Sequence, residues 1–375
     1  ELDAQNTEVL AFGLGIKDAF EKSGFIVHYS NSVGHLELFK ELIQNNNVDY
    51  FNKNISASSK YVLDNRPEIL KSVANIWQDQ ILKETGSLTD HRDYNVYTSD
   101  MSNAAIIKVK YDDIKNYIID GKIVDEGCAD AMLFAPISKD YPDSDLIGVD
   151  ISNDFIARAN ENIRRGIYGN SFVTILQANL LYNNFKNNSV STFICNSTMH
   201  EIWSYNQKHE SVNSYLRQKY SQLMPGGRII IRDVIGPADK DRVVLLSNLE
   251  DGGDANFVKF TKDFKHLRDD DKYEEVTING KTYFKMRMKL LAEYLLHKDY
   301  HNNWNSEMCE EFCHFSLDDW NRLALDNDFK IVTIKSYLSE WIQNNRYIGR
   351  VQILDPNTLE SIKYPDTNTV IVLEK

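Results

Sequence analysis

From Thr7 to about Ser102 the apolar residues recur at a spacing of about 3.6 residues. They run Val9, Leu10, Phe12 and Ile16, then Leu36, Phe39, Leu42 and Ile43, then Ile69, Leu70, Val73, Ile76 and Trp77. Such spacing gives each segment one oily stripe, and it predicts an N-terminal helical region over 1–105. Its breaks are polar, at Ser30–Ser32 and Asn45–Asn47, and at Arg66-Pro67, where Pro67 suits the first turn of a helix. Gly13 and Gly15 sit inside the helical period with no strand before them, so they do not read as a phosphate loop.

From Gly121 short β-branched runs alternate with helical stretches, the sign of βαβ units and a mostly parallel sheet. KIVDEG (122–127), DLIGVD (145–150), SFVTILQAN (171–179), VSTFICN (190–196) and RIIIRDV (228–234) read as strands. AMLFAPISKD reads as a helix containing Pro136. Ser152 or Asn153 can cap a helix whose Phe155, Ile156, Ala159 and Ile163 share a face. Pro225, Gly226 and Gly227 form a turn that reverses the chain into the fifth strand.

Residues 236–315 break the alternation with polar helices and one hairpin, EEVTINGKTYF, whose Asn279-Gly280 pair suits a type I′ turn. FSLDDWNRLALDNDFKIVTIKSY (315–337) then resumes a helix and a strand, and TVIVLEK (369–375) adds a last strand. The expected organisation is a helical region (1–105), the first part of an α/β core (106–235), an inserted lid or substrate domain (236–315) and the remainder of the core (316–375).

Charge narrows the partners. With 42 Lys+Arg against 55 Asp+Glu the net charge is −13, which disfavours nucleic acid and anionic membrane. Hydrophobic residues at 42% place the chain in the globular class, and no run approaches the roughly 18 apolar residues of a membrane span. The four cysteines, Cys128, Cys195, Cys309 and Cys313, are too sparse for a disulfide framework and fit a reducing, cytoplasmic compartment. The chain opens on Glu1, acids stand where a secretory signal needs basic residues, and a fragment of a longer protein is expected.

The most informative stretch is IVDEGCADAMLFAPISKDYPDSDLIGVDIS (123–152). A strand ending in acids, a small-residue turn, a helix and a second strand ending in Asp150 is the geometry that holds an adenosine-containing cofactor. The helix N-terminus offers N–H groups, and the second acid can accept from both ribose hydroxyls. Dinucleotide and S-adenosylmethionine sites share this spacing. Three further features separate them. The turn has one glycine, Gly127, and an acid, Asp130, where a dinucleotide fingerprint wants three glycines around a pyrophosphate. LMPGGRIIIRD places a reversing turn before the fifth strand, and strand 329–336 followed by strand 369–375 lets the last strand tuck back into the sheet.

On VDEGCADA followed by YPDSDLIGVDIS, residues 111–235 and 315–375 resemble the class I S-adenosylmethionine-dependent methyltransferases. The resemblance implies an α/β fold, a Rossmann-like class I methyltransferase sheet with helices on both faces. To this the periodicity adds the N-terminal helical region and an inserted α+β lid. It implies S-adenosyl-L-methionine as cofactor, with Asp125, Gly127, Cys128 and Ala129 lining its methionine and sulfonium end, so that a side chain at Gly127 would intrude on the methionine arm. Asp150 would bind the ribose, Ile151 cover the adenine and Asn179 accept from the adenine amino group. Ala129 and Ala131 stand where the family has glycines.

CNSTMHEIWSY (195–205) follows the fourth strand, where the resembled family faces the acceptor. Asn196 and Ser197 would border the cofactor, and Trp203 and Tyr205 the substrate. His200 is the candidate general base for a hydroxyl acceptor, in its neutral form, with Glu201 or Asp233 orienting it. HKDYHNNWNSEMCEEFCH (297–314) offers His297, Asp299, His301, Glu307, Glu310 and His314 without a recognisable ligand spacing, so no metal is expected. Tyr300, Trp304 and Phe312 there suit a pocket wall. The expected acceptor is a small or carrier-linked molecule at a hydroxyl oxygen, with no membrane partner. A protein side chain as acceptor, a catalytically silent scaffold and a nicotinamide-dependent oxidoreductase are the rivals.

Overall fold

A computed structural model of the chain describes residues 8–11, 26–29, 104–181 and 184–375. Strands β1 (Glu8–Ala11) and β2 (Ile26–Tyr29) pair in parallel, so Val9 and Leu10 lie in a strand where periodicity predicts helix. A four-residue apolar run cannot tell the two apart, because both repeats fit it. The rest of the predicted N-terminal helical region, up to residue 103, lies outside the described residues.

The core is a seven-stranded sheet. Its members are β3 (Lys122–Glu126), β4 (Asp145–Asp150), β5 (Val173–Gln177), β6 (Val190–Asn196), β7 (Leu223–Val234), β11 (Lys330–Tyr337) and β13 (Asn368–Glu374), ordered β11-β13-β7-β6-β3-β4-β5. Five strands run parallel, from β7 to β5. β13 enters antiparallel to both β7 and β11, the tucked-back last strand that the sequence predicts.

Strand side chains alternate between two cores, as a period of two demands. Val124, Ile229, Ile231, Ile371 and Leu373 face α4 (Met199–Ser204), α5 (His209–Gln222) and α9 (Leu317–Asp326). Ile123, Ile230, Val370 and Val372 face α1 (Ala104–Ile114), α2 (Phe134–Asp140) and α3 (Asn153–Arg164). Helices therefore cover both faces, the condition under which a mostly parallel sheet is stable. α3 begins at the Ser152 cap, whose hydroxyl accepts from Phe155 N at 3.5 Å. Pro225–Gly227 lie within β7 rather than ahead of it: Leu223 already pairs with Val190, and the register shifts before Arg228 meets Thr192. Gly226 takes a φ of 78°, open to glycine at little cost, so the segment bulges without ending the strand.

The insertion has its own antiparallel sheet, ordered β12-β8-β10-β9, from β8 (Val243–Asn248), β9 (Glu274–Ile278), β10 (Lys281–Arg287) and β12 (Val351–Leu354). Asn279 and Gly280 turn the β9–β10 hairpin with φ of 52° and 77°. Helices α6 (Gly253–Asp263), α7 (Met288–His297) and α8 (Trp304–Glu307) accompany this sheet. Its apolar core joins Val244, Phe257, Phe260, Phe284 and Tyr294. The boundary at 315 is corrected here. β12 lies beyond β11 in sequence yet pairs with β8, and Tyr347, Val351 and Ile353 complete the inserted core. A four-residue strand carries too little periodicity to show which sheet it joins.

Candidate cofactor and acceptor site

The C-terminal ends of β3, β4 and β6 meet at the small-residue turn. Gly127 N and Cys128 N both donate to the Val149 carbonyl, at 2.8 and 3.1 Å, bending the chain across the end of β4. Gly127 has a φ of 73°, and a Cβ there would stand 2.8 Å from Thr198 Cγ2. The glycine is therefore required by the β6–α4 loop itself, a constraint that the sequence does not show. Gly148 is needed for a similar reason, since a Cβ would lie 2.8 Å from Cys128 Sγ. The buried Cys128 thiol is pushed well above its ordinary pKa by burial and then by the charge of Asp150, so it lines the turn as a small apolar group. Ala129 and Ala131 adopt φ of 48° and 61°, the left-handed region in which the resembled family places glycine.

Asp150 ties the turn to β4. Its Oδ2 accepts from Ala129 N and its Oδ1 from Ser152 N, each at 2.9 Å. Each carboxylate oxygen retains a second acceptor position, enough for two ribose hydroxyls. Burial pushes its pKa up to about 6 although the Ser152 and Ala129 N–H groups favour the anion. Ile151 beside it is 36% exposed, an apolar surface of the kind that a purine face covers. Asn179 Oδ1 accepts from Leu181 N at 2.9 Å, so any adenine contact shares that oxygen. Buried Asp125 is pushed up to about 7 by burial, with Lys110 opposing. Half-buried Lys110, on α1, is lowered to about 8 by burial and by Arg232. Sequence reading missed Lys110: α1 approaches the turn only in three dimensions.

Beyond β6, Asn196 is buried and Ser197 half-buried. Ser197 takes a φ of 57°, and its N–H donates to the Arg232 carbonyl at 2.7 Å. The strained loop delivers α4, where Asp233 does two jobs. Its Oδ2 accepts from Met199 N and His200 N at 2.7 and 3.2 Å, satisfying the exposed donors of a helix start. Its Oδ1 stands 2.6 Å from His200 Nδ1 and accepts from Val234 N at 2.7 Å. His200 Nε2 lies 3.4 Å from Glu310 Oε2. Burial alone would lower the His200 pKa, but the Asp233 charge and hydrogen bond, joined by Glu310, hold it well above 6.5. Burial would raise Asp233, yet His200 holds it below its ordinary value. The two carboxylates therefore favour the protonated ring. Asp233 holds the ring at Nδ1, while Glu201, His200 and Glu310 each bring a ligand atom within 4.8 Å of the others.

The segment 309–314 closes this wall from the insertion. Tyr205 hydroxyl donates to Glu310 Oε1 at 3.0 Å, and Glu311 N donates to Ser204 Oγ at 2.8 Å. Phe312 packs edge-on against His200, with ring centroids 5.0 Å apart, and Tyr300 follows behind Phe312 at 6.1 Å. Two predicted substrate residues lie elsewhere. Trp304 is buried in the inserted core, with Nε1 donating to Asp263 Oδ2 at 2.8 Å and Lys259 Nζ 3.6 Å from its ring. Trp203 is buried against Phe315 and donates to Glu311 Oε2 at 2.7 Å, so it docks the insertion onto the core. Both indoles found polar partners inside, as buried tryptophans do, and periodicity cannot reveal such partners. Glu310 was missed as a wall residue because only the docking of 309–314 brings it to α4.

Residues 120–299 match the family model described as a methyltransferase domain. Among solved structures, the chain is similar to a geranyl diphosphate C-methyltransferase from Streptomyces coelicolor (12% identity, 72% of this chain and 78% of that one, TM-score 0.40). It is also similar to an S-adenosylmethionine dependent methyltransferase from Mesorhizobium loti (12% identity, 73% and 98%, TM-score 0.41). TM-scores of this size carry no argument about substrate or mechanism. No curated protein sequence matches the chain. No helix among the described residues is long and apolar enough to cross a membrane. Residues 120–299, which hold the turn at Gly127 and the acid at Asp150, thus match a methyltransferase domain, and the sheet of which they form part ends in an antiparallel last strand.

Proposed function

We propose that the chain transfers the methyl group of S-adenosylmethionine to a hydroxyl oxygen of a small molecule held beside α4 and segment 309–314. The observation that carries this reading is the Asp150 carboxylate, fixed by Ala129 N and Ser152 N at the end of β4 beside the exposed Ile151. Asp125, Gly127, Cys128 and Ala129 line the methionine end, with Asn196 and Ser197 at its border. Tyr205, Tyr300 and Glu310 form the acceptor wall. In the reaction the methyl–sulfur bond breaks with its electron pair left on sulfur, the carbon–oxygen bond forms, and the hydroxyl proton passes to water. Alignment supplies up to roughly 7 to 11 kcal/mol of such a displacement. His200, held by Asp233 at Nδ1 and close to Glu310 at Nε2, borders the acceptor wall.

Incubating the protein with S-adenosylmethionine bearing a trideuteromethyl group and a small-molecule extract tests this by mass spectrometry. Labelled small products whose label sits on oxygen are expected. Bound S-adenosylhomocysteine without turnover of any fraction would favour a silent scaffold, and label found only on protein would overturn the small-molecule reading.

A further inference from the structure

Three carboxylates converge on His200. Asp233 holds Nδ1 at 2.6 Å, while Glu310 approaches Nε2 at 3.4 Å, and Glu201 completes a triangle whose ligand atoms all lie within 4.8 Å. His200 and Glu310 are buried and Glu201 is half-buried, so solvent screens these charges poorly. We propose that His200 Nε2, Glu201 and Glu310 bind a divalent cation of the Mg²⁺ or Mn²⁺ type, beside the proposed acceptor position. The location relative to an acceptor rests on the methyltransferase reading, whereas the cation site stands on the triangle alone.

The donor set has the right chemistry. One imidazole and two carboxylates suit hard or borderline divalent ions and leave coordination positions for oxygens of a bound molecule. Ligands about 2.1 Å from one ion stand about 3 to 3.5 Å apart. The His200–Glu310 approach of 3.4 Å already meets that spacing, and the 4.8 Å limit leaves Glu201 a small side-chain adjustment.

The independent observation is the support behind each ligand. A metal-binding histidine characteristically gives its other nitrogen to a carboxylate, which fixes the ring. Asp233 does this for His200 from β7, outside the triangle, and is itself held by Met199, His200 and Val234 N–H groups. Glu310 is positioned by the Tyr205 hydroxyl on Oε1 at 3.0 Å and by His297 Nε2, which lies 3.1 Å from its carbonyl. The cation would take the place of the Nε2 proton, leaving Nδ1–H on Asp233. Spacing along the chain cannot show this site, since Glu310 reaches His200 only after the insertion docks.

Titrating the purified full chain with Mn²⁺ alone, followed by calorimetry and by electron paramagnetic resonance, tests the proposal. One Mn²⁺ per chain is expected to bind with an imidazole-nitrogen modulation in the pulsed spectrum. Glu201→Gln, a substitution at a half-buried position, should weaken binding by tenfold or more, as should Glu310→Gln. Failure to saturate below about 1 mM Mn²⁺, absence of the nitrogen modulation, or affinity unchanged in both variants would overturn the site. S-adenosylhomocysteine binding measured on the same samples separates the two claims: if it binds and Mn²⁺ does not, the cation site fails and the methyltransferase reading stands. If Mn²⁺ binds as described and S-adenosylhomocysteine does not, the reverse holds.

Discussion

Replacing Asp233 by Asn keeps the size of the side chain and removes its charge. Asp233 makes four hydrogen bonds, to Met199 N, His200 N, His200 Nδ1 and Val234 N. An amide has one accepting oxygen, so whichever way it turns, two of those donors lose their acceptor. Bonds to charged groups contribute about 1.5 to 3 kcal/mol each, and breaking a buried pair costs about 3 to 5 kcal/mol in measured cases. The expected loss is therefore about 3 to 5 kcal/mol of unfolding free energy near pH 6. The pH dependence has a definite sign. Asp233, lowered from 3.8, stabilises above that value and loses its effect as pH falls through its folded pKa. His200, raised above 6.5, stabilises below that value and loses its effect as pH rises through its folded pKa. The difference between wild type and Asp233→Asn should thus be greatest between about pH 4 and 6.5 and shrink on both sides. Urea unfolding at several pH values, with the His200 ring followed by NMR, measures it. An unchanged unfolding free energy together with an unchanged His200 titration would refute the reasoning.

Four further outcomes are expected. Gly127→Ala forces a Cβ against Thr198 at a φ of 73° and should lower the thermal midpoint of the apo protein, a loss that a purely ligand-facing glycine would not show. Ala129→Gly relieves a φ of 48° and should raise unfolding free energy by about 0.5 to 1 kcal/mol in a denaturant titration. Lys219→Met strands the Glu126 carboxylate of a fully buried ion pair and should cost about 3 to 5 kcal/mol, whereas the double change with Glu126→Leu should recover much of it. Glu293→Gln leaves only one accepting oxygen for Phe312 N and Cys313 N, bound at 2.6 and 2.8 Å, and should loosen segment 309–314, read as faster amide exchange there.

The sheet was legible because its strands carry their signal locally. Runs such as RIIIRDV and VSTFICN are apolar on both faces, as parallel strands covered by helices must be. The turn and the place of Asp150 at the end of β4 were legible because both lie within one βαβ unit. What sequence reading missed depends on distant segments meeting. β12 joins β8 across the whole of β11, Glu310 reaches α4 from the insertion, and the Lys110 charge on α1 acts on Asp125. His200 was legible as a residue, but its surroundings were not, because Asp233 and Glu310, which face its two ring nitrogens, are both distant from it in sequence.

The central claim is that the end of β4 holds the adenosine moiety of S-adenosylmethionine through Asp150, and calorimetry with S-adenosylhomocysteine tests it most directly. One ligand per chain should bind, NAD(H) should not, and Asp150→Asn should weaken binding about tenfold or more, the loss of a hydrogen bond to a charged group. Wild-type affinity should also fall as pH drops through about 6, where Asp150 takes up its proton. Binding that is undiminished in Asp150→Asn and flat from pH 8 to pH 5, a range spanning that titration, would contradict the account.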